Sequence, residues 1–207
     1  MSLLKNYNNL SNDLSSVCQA CEESAGKMKD LLTQLSEINI KKKNKNNITN
    51  RGTGAGGTNT NKNGLPYEEL TDLKQKYTVI SSEKYCDIIK FLDYDKEFKT
   101  SKKKRVFKCM KDKINNKIED GHGCKEPDEC YIDEENKNLF IIEKKFQQVG
   151  GSVCEKIQTP DFKIWQYSRK FPEYKIIYIY CLSDWFKDNC KAEIEYYKYK
   201  KIPFFLG

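Results

Sequence analysis

Apolar residues change their spacing sharply along the chain. From Leu3 to Ile38 they recur three and four positions apart, through Leu3, Tyr7, Leu10, Leu14, Val17, Cys21, Ser24, Met28, Leu31, Leu35 and Ile38, with Ser24 the polar exception. That spacing predicts one long helix with a heptad seam of about five repeats, which can pair with a second copy or lie on its own domain. The next stretch, "KKKNKNNITNRGTGAGGTNTNKNG" from Lys41 to Gly64, has almost no apolar residue and reads as a basic, Gly/Asn-rich linker or arm. Its glycines do not form a phosphate loop, because the G-x-x-x-x-G-K-[ST] pattern is absent.

Beyond Gly64 the periods become those of a folded domain. "LPYEELTDLKQKY" carries Pro66 and early acidic residues, the signals of a helix start. "SSEKYCDIIKFL" and "KRVFKCMKDKI" are expected to be amphipathic helices, with "KTSKKKR" a basic loop between them. A hairpin follows in "EPDECYIDEENKNLFIIEKKF", and then a helix in "SVCEKIQTPDFKIWQYSRKF", where Pro160 either opens the main part or kinks it. "YKIIYIYCL" is filled with aromatic and β-branched residues at nearly every position, as in a strand buried on both faces. Cys190 to Tyr199 reads as helix and "IPFFLG" as a closing strand. This order predicts an α/β protein with a mixed central sheet flanked by helices on both faces. The expected organisation is an N-terminal helix over 1–40, a linker over 41–64 and one domain over 65–207.

Composition narrows the class. With 207 residues, 38% of them hydrophobic, the chain can build one core but not two. A formal charge of +7 with a single histidine favours polyanionic partners, although that much charge is also common in proteins with no such partner. No run of 18 apolar residues exists, and "MSLLKNYNNLSNDL" lacks the basic head and apolar core of a signal peptide, so no membrane partner is expected. The nine cysteines, Cys18, Cys21, Cys86, Cys109, Cys124, Cys130, Cys154, Cys181 and Cys190, are odd in number and scattered, which suits reduced thiols in the cytoplasm. One C-x-x-C, at Cys18 and Cys21, lacks the further ligands a zinc site needs. His122, between glycines in "DGHGC", reads as a loop residue more readily than as a general base.

The hairpin carries the chemistry. A four-residue turn, Glu134 to Lys137, would pair Asp133 with Asn138 and therefore set Asp128 opposite Glu143 on one face, with Lys145 two residues further along that face. Carboxylates directly opposite have Cβ atoms about 4.5–5.5 Å apart, close enough to share a hard divalent cation and repulsive without one. Lys145 beside such a pair can touch a phosphate oxygen or hold a water whose pKa the metal lowers. The competing reading is a surface hairpin with exposed ion pairs worth at most ~1 kcal/mol.

"PDECYID" followed by "LFIIEKKF" resembles the Pro-Asp and Glu-x-Lys signature of the PD-(D/E)XK nuclease superfamily. "GLPYEE" before it and "GSVCEKIQTPDFKIWQY" after it are similar to the corresponding segments of type II restriction endonuclease-like members, so the resemblance runs from about Gly54 to the C-terminus. It implies a restriction endonuclease-like core and a Mg²⁺-dependent DNA endonuclease, with Mn²⁺ as a substitute, that leaves 5′-phosphate and 3′-hydroxyl ends. Position by position it implies Asp128, Glu143 and Glu68 as metal ligands, with Glu69 competing for the last place, and Lys145 as the catalytic lysine. Lys156 and Gln158 resemble supporting polar residues. A restriction-type enzyme acting on double-stranded DNA implies a homodimer and a companion methyltransferase. Lys102, Lys103, Lys104 and Arg105 are candidates for phosphate contact, against the alternative of a solvated charge run. Trp165 and Trp185 could stack on bases or belong to the core. The alternative of a different class is a non-catalytic coiled-coil protein whose nuclease-like domain only binds nucleic acid or another partner.

Overall fold

A computed structural model describes residues 66–114, 124–150 and 152–207. The heptad segment, the basic linker with Lys41 to Arg51, the Cys18/Cys21 pair and His122 lie outside the described residues. Helix α1 covers 66–70 and is followed by a 3-10 turn, Leu73–Lys76, whose N-terminus is capped by the Asp72 carboxylate. The strands are β1 Tyr77–Ser82, β2 Asp87–Phe91, β3 Glu97–Ser101, β4 Glu129–Asp133, β5 Asn138–Lys145, β6 Lys175–Leu182 and β7 Phe204–Leu206. Between them run α2 Arg105–Cys109, α3 Val153–Ile157, α4 Pro160–Lys170, α5 Trp185–Asn189 and α6 Lys191–Tyr199. All seven strands join one sheet in sequence order, antiparallel from β1 to β5 and parallel from β5 to β7.

The expected mixed sheet is therefore present, and its hairpin register is the expected one, with Asp133 opposite Asn138. Strands β6 and β7 and helix α6 also form where the pattern put them. The first three strands differ from expectation. "SSEKYCDIIKFL" is not a helix: it holds β2, in which Ile89 and Phe91 are buried while Lys90 between them is exposed, the period of a strand. Nor is "KTSKKKR" all loop, because Lys99, Thr100 and Ser101 complete β3 against β4. Edge strand β1 hid its period because one bulge shifts its register between Val79 and Ser81 and both Val79 and Ile80 remain exposed. Pro160 opens α4, separated from α3 at Gln158–Thr159.

The two faces of the sheet are covered unequally. Helices α2 to α6 all feed one core, supplying Val106, Ile157, Tyr167, Phe186 and Tyr197 against Cys130, Ile141, Tyr178 and Tyr180 of the sheet. In the other core, among the described residues, the one buried side chain that does not come from a strand is Leu73 of the 3-10 turn. Helices on both faces were expected; the described long helices lie on one. Cys154 and Cys190 are disulfide-bonded, whereas Cys86, Cys109, Cys124, Cys130 and Cys181 are free thiols. The expectation of reduced thiols throughout thus fails at one pair, because α3 and the end of α5 bring their Cα atoms to 6.1 Å, within disulfide range. Among the described residues no helix is long and apolar enough to cross a membrane.

Candidate active site

Strand register sets Asp128 and Glu143 opposite each other, but among the described residues the two carboxylates share no hydrogen-bonding or ion-pair partner. The antiparallel ladder pairs Glu129 with Ile142, so Asp128 stands across from Glu143, and the Asp128 Oδ2 accepts the Lys144 backbone N–H at 2.8 Å. On the other side, β3 pairs Ser101 with Cys130, and that register carried two residues further aligns Lys103 with Asp128. Lys103 donates its backbone N–H to Pro127 O at 2.9 Å, which fixes the turn beside Asp128. Its ammonium lies between two carboxylates, 3.4 Å from Asp128 Oδ1 and 3.5 Å from Glu68 Oε2. Glu68 thus faces the hairpin from α1, while Glu69 is exposed to solvent.

Glu143 is built into the helical face, with only 5% of its surface exposed. Its Oε1 meets Lys145 Nζ at 2.6 Å and Lys163 Nζ at 3.4 Å, and its Oε2 accepts the Tyr178 hydroxyl at 3.0 Å. Lys163 comes from α4 and is itself 3% exposed, 3.2 Å from the Tyr180 hydroxyl. Burial alone would raise the Glu143 carboxyl, but Lys145, Lys163 and the Tyr178 hydrogen bond outweigh it and hold the group below the ordinary carboxylate value. Desolvation, with Lys145 nearby, lowers the Lys163 ammonium despite Glu143.

Lys163 was missed by sequence reasoning, which takes a lysine on an amphipathic helix as solvated. The signal was its place in a buried stripe: Pro160, Lys163, Tyr167 and Lys170 recur at helical spacing and are all buried. Conversely, Gln158 and Lys156 are exposed and do not join the cluster. Gln158 donates to Glu193 Oε1 on α6 at 2.7 Å.

A second charged network occupies the opposite face. Glu129, 1% exposed, receives Lys102 Nζ at 2.8 Å and Lys144 Nζ at 3.2 Å, though neither contact has hydrogen-bond alignment. Lys102 also reaches Asp72 at 2.5 Å, and Lys144 donates to Glu68 O at 2.9 Å. Desolvation raises the Glu129 carboxyl in spite of both lysines. The network ties α1 and the 3-10 turn to the sheet and so positions Glu68. The run Lys102 to Arg105 is therefore engaged by the protein: Lys104 pairs with Glu126 at 3.5 Å and Arg105 reaches Lys84 O at 3.4 Å.

Whether these residues suit a hard divalent cation can be judged from their donors. Glu68 and Asp128 already share one cation, and both are partly solvent-exposed, with side-chain exposures of 32% and 15%. Such oxygens fit Mg²⁺ or Mn²⁺. Glu143 instead spends both oxygens on lysines and a tyrosine. Among the described residues, no three Asp, Glu, Cys or His side chains gather as a ready metal-binding group. Trp165 is half-exposed and stacks on Phe162 with Arg169 over its ring, whereas Trp185 packs against the core. No protein-family model matches the chain, and neither curated proteins nor solved structures provide a match.

Proposed function

We propose that this protein is a metal-dependent endodeoxyribonuclease of the PD-(D/E)XK type, restriction-like and dimeric, hydrolysing phosphodiester bonds of double-stranded DNA. The observation that supports it is the joint placement of Asp128, Glu143 and Lys145 on one face at the end of β5, with Glu68 linked to Asp128 through Lys103. Glu68 and Asp128 would hold Mg²⁺, and Glu143 would hold Lys145 in place. Bound there, the ion would lower the pKa of a water and polarise the scissile phosphate.

The protein side of the reaction follows from exposure. Of the two ammonium groups on Glu143, Lys145 is the accessible one, 24% exposed, and can orient the attacking water or neutralise a phosphate oxygen. Lys163 and Tyr178, enclosed under α4, hold the Glu143 carboxylate ionised and fix its orientation. They are positioning residues. The test uses the full chain, mixed-sequence duplex DNA and Mg²⁺ or Mn²⁺, with sequencing of the cut ends. Metal-dependent cuts bearing 5′-phosphates that disappear in Lys145→Ala and Asp128→Asn are expected. Duplex binding without cleavage would replace this reading by that of a non-catalytic nucleic-acid-binding protein.

A further inference from the structure

Three consecutive lysines leave β3, and the protein uses each differently. Lys102 is committed to Glu129, which is 1% exposed, and Lys104 reaches out to Glu126 with 80% of its side chain exposed. Lys103 alone lies on the two carboxylates that the proposed function assigns to metal. Its backbone has φ 53°, a left-handed conformation unfavourable to a lysine, and is held there by the hydrogen bond to Pro127 O. That turn sets the residue beside Asp128.

The contact it makes is shared and loose. Distances of 3.4 and 3.5 Å exceed the ~2.7–2.9 Å of a short charge-assisted hydrogen bond, so the ammonium bridges both oxygens without closing on either. Half of its side chain, 53%, is exposed, so it can swing into solvent without opening the core. A divalent ion coordinating the same oxygens at about 2.0–2.1 Å would set two positive charges beside the ammonium and repel it.

We propose that Lys103 is an internal counter-ion that competes with the divalent cation for Glu68 and Asp128 and so sets the metal affinity of the site. The inference rests on the metal-dependent reading above. Metal entry then adds two positive charges and displaces one, and the released ammonium stands at the mouth of the site, available to an anionic substrate. With no metal present the bridging ammonium offsets the repulsion between the two carboxylates, and a cation must displace it to load.

The experiment is calorimetric titration of Mg²⁺, and separately Mn²⁺, into the full-length protein without nucleic acid. Lys103→Met and Lys103→Gly both remove the ammonium; the glycine also suits the left-handed backbone, so a folding defect in the first variant is controlled by the second. Each should bind metal roughly 3- to 30-fold more tightly than wild type, the effect of removing two exposed ion-pair contacts of up to ~1 kcal/mol each. Lys103→Arg, which keeps the charge, should stay near wild type. The gap between wild type and Lys103→Gly should narrow as salt rises, because screening weakens the competing pair. Equal affinities in wild type and both uncharged variants overturn the role of Lys103 and leave Asp128-dependent binding intact. Metal binding that Asp128→Asn does not weaken overturns this inference and the metal-site assignment together.

Discussion

Removing Glu143 should unbalance a buried charge. Its buried cationic partner, Lys163, has a side chain only 4% exposed and no other carboxylate within ion-pair distance among the described residues. Glu143→Ala therefore leaves an ammonium enclosed among Tyr178, Tyr180 and the α4 core with no counter-charge. Breaking a buried pair from one side costs about 3–5 kcal/mol, and a loss of 3 kcal/mol lowers the thermal midpoint by roughly 6–12 °C in a domain of this size. Lys163→Met should cost less, since Glu143 keeps Lys145 at 2.6 Å and the Tyr178 hydroxyl at 3.0 Å. In the Glu143→Ala/Lys163→Met protein the orphaned charge is gone, so the two changes should be sub-additive by about 2 kcal/mol or more. Urea unfolding of the four proteins at neutral pH gives this coupling directly. Additive effects, or a Glu143→Ala protein within ~1 kcal/mol of wild type, would refute the view that Lys163 is held by Glu143.

The opposite network offers a parallel case: Lys144→Met leaves Glu129 with Lys102 alone and removes the hydrogen bond to Glu68 O, so chemical denaturation should show a loss of roughly 2–4 kcal/mol. In acid, Glu143 has a depressed folded pKa, so its contribution is present above the unfolded value of about 4.3 and lost as pH falls through the folded one. Urea unfolding between pH 3 and 6 should therefore show a shallower acid loss in Glu143→Gln than in wild type, and parallel curves would contradict it. Glu129 contributes with the opposite sign, because its folded pKa is raised.

What the sequence made legible was governed by which residues have a single plausible environment. The four-residue turn at Glu134–Lys137 fixes which side chains of β4 and β5 share a face, so Asp128, Glu143 and Lys145 could be aligned in advance. Strand β6 has no exposed face to confuse its pattern beyond its first residue, Lys175. By contrast, β2 and the residue before it place apolar residues at 86, 88, 89 and 91, a spacing a helix could also bury, and its partner β1 is an exposed edge. The charged interior was least visible. Lys144, Lys163, Glu129 and Lys102 are residue types that normally face water, and their burial or pairing depends on partners distant in sequence. No local pattern contains that information.

Strand geometry gives these charges one more consequence. Around the ends of β3, β4 and β5, neighbouring residues belong to different faces: Lys102 with Glu129 and Lys144, Lys103 with Asp128 and Glu68. Epistasis in this region should accordingly be interleaved. Substitutions at adjacent positions 102 and 103 draw on separate carboxylates, Asp72 and Glu129 against Glu68 and Asp128, and should combine almost independently. Positions 25 residues apart, Lys103 and Asp128, or 35 apart, Lys103 and Glu68, should constrain one another. A lineage could retune the face that carries Lys103 while the face that braces α1 stayed fixed, and the record of that history would be written in every second residue.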